Sequence, residues 1–131
     1  MTNRADKLAR WSIEALFANR YDEWAATLDD YVVLDDRRLS SAQVFVGKRT
    51  VIEEFGRGAY GALGPRRESR VDTVTCRGEN LVLLRGTNTV ADSIVYGWMS
   101  IDRVTPSGLV DLIILFDSDA HDEAITQLND L

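Results

Sequence analysis

Cysteine, histidine and proline are nearly missing from this 131-residue chain, and each shortage removes a class of answer. The lone Cys76 excludes an internal disulfide, and one cysteine with one histidine, His121, provides no zinc cluster. Basic residues are outnumbered, 15 against 21 acids, giving a net charge of −6 and a pI near 4.7. Phosphate-backbone binding draws on clustered Lys and Arg, so no nucleic-acid partner is expected. No apolar run approaches the length of a membrane span, and the opening MTNRADKLAR carries charge without an apolar core. The expectation is a cytoplasmic protein with no membrane partner. The scattered glycines match neither a phosphate-binding loop nor a dinucleotide fingerprint, so no cofactor is expected.

What is present, 45% hydrophobic and 27% charged residues, suits a single globular domain over residues 1–131. Ala5, Leu8, Ala9, Ser12, Ile13, Leu16 and Phe17 fall on one helical face, with Asn3 available as N-cap. Asp22 can cap a second, shorter helix. Tyr31 to Leu34 and Val44 to Val46 read as strands, and a third helix starts near Lys48 to bury Val51, Ile52 and Phe55. Glycines 56, 58, 61 and 64 with Pro65 weaken its end. From Arg66 the pattern turns extended: Val71 to Cys76, Leu81 to Val90, Ile94 to Val104 and Leu109 to Phe116. The short connections Arg77-Gly78-Glu79-Asn80, Ala91-Asp92-Ser93 and Pro106-Ser107-Gly108 suit antiparallel hairpins. Asp119 to Leu131 closes as a last helix. Helices followed by a four-stranded meander give an α+β layout.

The segment Leu28 to Arg38, LDDYVVLDDRR, concentrates charge at the exit of an apolar strand. It reads either as a solvated strand end or as the polar mouth of a pocket enclosed by the sheet. Asp35 is the candidate catalytic base if burial raises its pKa, whereas Arg37 and Arg38 would hold it ionised and make it a clamp. Arg37, Arg85, Tyr96, Trp98 and Asp111 are candidate ligand-binding residues. Arg85 is a mid-strand cation that needs a partner or an outer face. Tyr96 and Trp98 share one strand face and join apolar bodies to polar tips. Asp111 falls by strand alternation with Ile113 and Leu115. Trp11 and Trp24 read as core, His121 as solvated.

The order of elements, with LDDYVVLDDRR, FVGKRTVIEEF and GLVDLIILFDSDAHDEAITQL, resembles the nuclear transport factor 2-like superfamily, also called SnoaL-like or ketosteroid-isomerase-like. The first and last segments also resemble stand-alone and appended domains of actinobacterial proteins. The resemblance implies a cone-shaped fold in which a strongly bent antiparallel sheet wraps around helices, an apolar cavity, and often a homodimer through the outer sheet face. It places Asp35 where the isomerases hold their general base. Their oxyanion-hole tyrosine and aspartate would fall near Arg10 or Trp11 and near Ser100. The arginine-acid pair of the fold's epoxide hydrolases would fall at Arg85-Gly86-Thr87, without the acid. The partner implied is a small apolar organic molecule, bound in a binding or regulatory role or turned over by a cofactor-free cyclase or isomerase using Asp35.

Overall fold

The computed structural model describes residues 2–61, 66–90 and 94–131. Helix α1 (Arg4–Phe17) starts where Asn3 accepts a hydrogen bond from the Asp6 N–H, the expected cap. The Asn3 amide also donates to the carbonyls of Gly78 and Leu81, both at 2.9 Å, which ties the helix start to a strand turn. Helix α2 (Tyr21–Ala26) has no side-chain cap: Asp22 lies inside its first turn, where an acid favours the helix dipole instead. The acidic pair Asp29 and Asp30 stands inside strand β1 (Leu28–Asp36), which is longer than its β-branched run suggests. Strand β2 (Gln43–Val46) follows.

One turn of α-helix, α3 (Lys48–Thr50), runs into a π-helix (Val51–Tyr60). Gly56 and Gly58 do not end it. A Cβ on Gly56 would lie 2.5 Å from the Trp24 ring, so the glycine is what lets the wide helix press onto that indole. Val51, Ile52 and Phe55 are buried, as the apolar spacing implies. Gly64, Pro65 and the Ala91-Asp92-Ser93 connection lie outside the described residues.

Strands β3 (Arg66–Arg77), β4 (Leu81–Val90), β5 (Ile94–Val104) and β6 (Val110–Asp117) form the antiparallel meander. The six-stranded order is β2-β1-β6-β5-β4-β3, and the β1–β6 pairing is parallel, so the sheet is mixed at that one seam. Register shifts in β1, β3 and between β5 and β6 mark bulges, which bend a sheet by increasing local twist. The sheet is strongly curved.

Each face has its own apolar cluster. The inner face sets Leu34, Val82, Leu84, Trp98, Ile113 and Leu115 against α1, α2 and the π-helix. The outer face sets Leu83, Met99, Ile101, Ile114 and Phe116 against α4 (His121–Asp130) through Ala124 and Leu128. The last helix therefore covers a different face from the first three. Arg10 fixes α1 to β3 by donating to the Val71 carbonyl (2.8 Å) and the Thr73 hydroxyl (2.6 Å), while its Nε sits 3.2 Å from buried Asp6. Among the described residues no helix is long and apolar enough to cross a membrane, and no group of three acidic, histidine or cysteine side chains is placed to hold a metal ion.

Candidate functional site

Strand alternation decides what the inner face presents. On β5, Tyr96, Trp98, Ser100 and Asp102 stand at every second position and point toward the helices, while Met99 and Ile101 point outward. Between that row and α1, α2 and the π-helix lies a cavity of about 50 Å³. Its apolar wall is Ile13, Leu16, Phe17, Trp24, Leu34, Phe55, Ile113 and Leu115; its polar groups come from Ser12, Arg38, Asn88, Tyr96, Trp98, Ser100 and Asp102.

Asp102 is the unusual member. It is buried at 2% exposure, and the Ser100 hydroxyl donates to its Oδ1 at 2.7 Å. Burial disfavours the carboxylate and outweighs that hydrogen bond, so the pKa is pushed up to about 6. Near neutral pH this acid exists in both forms, which suits it to give or take a proton. The Trp98 indole N–H is also buried and has no hydrogen-bond partner among the described residues. Trp98 is held edge-on to Phe17, with ring centroids 6.0 Å apart, and it fills the space over Gly86. The Asn88 amide donates to the Tyr96 hydroxyl at 2.8 Å, which leaves that hydroxyl's own proton to donate.

Arg38 borders the cavity as half of a different pair. Its Nε and Nη2 donate to the two oxygens of Asp36 at 2.9 and 2.8 Å, and the Ser41 hydroxyl donates to the same carboxylate at 2.9 Å. The charge-paired guanidinium is held above its ordinary pKa despite the opposing effect of burial. Asp36 shares the inner face with Leu34, and its carboxylate is consumed by these bonds.

Of the candidate catalytic and ligand-binding residues Asp35, Arg37, Arg85, Tyr96, Trp98 and Asp111, Tyr96 and Trp98 line the cavity and the other four do not. Asp35 is one residue out of phase: it lies on the outer face beside Ile114, bound to the Arg37 Nε at 2.9 Å. Arg37 continues outward to Gln127 of α4 (2.8 Å) and over the Phe116 ring. Arg85 points out of the sheet, exposed, with its Nη2 4.0 Å from the Met99 sulfur. Asp111 leaves the expected face because the bulge between β5 and β6 breaks alternation; it pairs instead with Arg103 at 2.8 Å. Trp11 is half exposed beneath Arg20 rather than core. His121 is exposed, 3.6 Å from Asp122.

The signal for Asp102 was in the sequence. IVYGWMSIDRV alternates, and the face that carries Tyr96 and Trp98 continues to Ser100 and Asp102, two positions beyond the serine marked by the resemblance.

No protein-family model matches the chain, and none of the curated proteins resembles it in sequence. Solved structures resemble its fold. An NTF-2-like protein of unknown function from Burkholderia xenovorans is 16% identical with a TM-score of 0.68, over 88% of this chain and 84% of that one. A Δ5-3-ketosteroid isomerase from a Mycobacterium species is 16% identical with a TM-score of 0.63, over 87% and 92%. A Mycobacterium tuberculosis protein solved with estradiol-17β-hemisuccinate is 17% identical with a TM-score of 0.61, over 87% and 93%. The chain has the NTF2-like cone fold, α+β with its first helices packed in the curved sheet.

Proposed function

We propose that this domain binds a small, mainly apolar organic molecule carrying one oxygen acceptor, in the cavity between β5 and α1. The observation that carries the reading is Asp102: an acid buried in a mainly apolar cavity wall and poised to donate a hydrogen bond when protonated, with the Trp98 N–H, four residues away on the same strand face, without a hydrogen-bond partner among the described residues. Buried polar groups are normally satisfied, so each of these groups favours a ligand atom that completes it. The steroid ester bound by the Mycobacterium tuberculosis neighbour supports an apolar ring compound as the class. Titration with acetophenone, followed by tryptophan fluorescence, tests it because Trp24 and Trp98 both line the cavity. A saturable change in emission is expected; unchanged emission up to millimolar ketone contradicts the reading.

A second reading, cofactor-free isomerase chemistry, is favoured by the same acid, since a carboxylate near pKa 6 in a partly dry site can abstract a proton next to a carbonyl. On this reading the base is Asp102 rather than the outward Asp35. Exchange of the acetophenone methyl protons into deuterium oxide, measured by NMR, separates it from simple binding. Catalysed exchange that Asp102→Asn abolishes establishes an enzyme; exchange at the uncatalysed rate leaves a binding domain. The reading includes a cytoplasmic setting and a homodimer. The dimer is motivated by the outer face of β4 and β5, where Arg85, Thr87 and Val95 are exposed beyond α4.

A further inference from the structure

A groove runs beside the cavity, between the exposed side of α1 and β3, lined by Arg10, Ile13, Glu14, Phe17, Ala18, Glu68, Ser69 and Val71. Its volume is about 480 Å³, against about 50 Å³ for the cavity on the same measure. Two side chains belong to both walls, Ile13 and Phe17. The floor is also shared: Tyr96 is paired with Asn88 and Asn88 with Ser69, so one row of inner-face residues crosses three strands from cavity to groove. At about 4.8 Å per strand that row spans roughly 10 Å.

Cavity and groove thus have the side chains of Ile13 and Phe17 as a common wall. Phe17 is the last residue of α1, half-buried, and the chain turns away two residues later at Asn19 with φ 58°. Phe17 stands edge-on to Trp98 at 6.0 Å, and its ring is the aromatic side chain common to both walls. The cavity alone holds only a few water-sized volumes, room for a small head group and not for a longer ligand.

We propose that Phe17 swings aside to join the two spaces, and that the ligand is an elongated apolar molecule whose oxygen-bearing head occupies the cavity while its tail lies in the α1–β3 groove. The inference rests on the cavity being the binding site. It assigns the groove as a tail subsite with its own residues, Ala18 and Ser69.

The homologous phenyl ketones from acetophenone to octanophenone test it by isothermal titration. Each methylene that enters the groove should raise affinity by up to about fourfold, the value for full burial, and the rise should continue well past propiophenone. Ser69→Trp and Ala18→Trp, both at exposed positions that touch only the groove, should flatten the rise for the long ketones and leave acetophenone affinity within twofold. Phe17→Ala should speed octanophenone association at least fivefold in stopped flow. A wild-type series that stops rising at propiophenone, or an unchanged slope in both tryptophan variants, overturns the tail subsite alone. Acetophenone that fails to bind overturns the cavity reading and this inference together.

Discussion

The Ser100 hydroxyl donates to the Asp102 carboxylate across 2.7 Å, two residues apart on one strand face and both sealed from solvent. That single bond does not offset the loss of water around the carboxylate, and the imbalance makes Asp102 the group on which stability and binding should depend most sharply on pH.

The folded state holds the Asp102 proton more tightly than the unfolded chain does, with a pKa of about 6 against the ordinary 3.8. Its contribution to stability is therefore most favourable below the unfolded value and falls as pH rises, with the loss complete above about 6. The shift corresponds to about 3 kcal/mol. Asp102→Asn should abolish this component and be more stable than wild type at pH 7 by up to that amount, with the difference vanishing near pH 4. Urea denaturation of both proteins at pH 4, 5 and 7 checks it; equal stabilities at pH 7 contradict it.

Neighbouring acids of the same segment should respond very differently. Asp36 is buried and receives bonds from Arg38 and Ser41, so Asp36→Asn leaves a partly buried guanidinium uncompensated and should cost about 3 to 5 kcal/mol. Asp35 pairs with Arg37 near the surface, and Asp35→Asn should cost less than about 1 kcal/mol. A larger loss in denaturant midpoint for Asp35→Asn would mean that the two faces have been assigned the wrong way round, and equal losses would contradict the difference in burial.

Gly86 is a close-approach position. A Cβ there would meet the Trp98 ring at 2.2 Å, inside contact distance, so the indole must move. Gly86→Ala should destabilise by about 1 to 3 kcal/mol and shift the Trp98 emission to the red as the ring leaves its buried site. Wild-type emission and stability in this variant would contradict the packing described.

Much of this arrangement was legible in the residues. The helical spacing from Ala5 to Phe17, the Asn3 cap and the meander turns give α1 and β4 to β6 directly, because period and turn chemistry are local. The site was only half legible. Tyr96 and Trp98 were readable as one face, but whether Asp35 or Asp36 turns inward depends on β1 lying parallel to β6, a non-local pairing with no sequence mark. Asp111 was lost to a bulge for the same reason. The π-helix was hidden because its glycines look like breakers until Trp24 is seen against Gly56.

The proposed dimer has a direct check. Val95 is 62% exposed on the outer face that also carries Arg85 and Thr87, so Val95→Asp should dissociate a dimer formed there without unfolding the domain. Sedimentation velocity at micromolar concentration should show a dimer in wild type and a monomer in the variant; a wild-type monomer contradicts the dimer.

The central claim, that a protonatable acid in the β5 cavity holds the ligand's oxygen, is tested most directly by acetophenone affinity measured from pH 5 to pH 8 in wild type and Asp102→Asn. A ketone accepts a hydrogen bond and cannot donate one, so it should bind the protonated acid. Wild-type affinity should hold below about pH 6 and then fall, approaching tenfold per pH unit, because the binding-competent form is then titrated away. Asp102→Asn, which keeps a donor at every pH, should bind with no pH dependence. Parallel pH profiles for the two proteins, or wild-type affinity that rises above pH 6, would contradict the account.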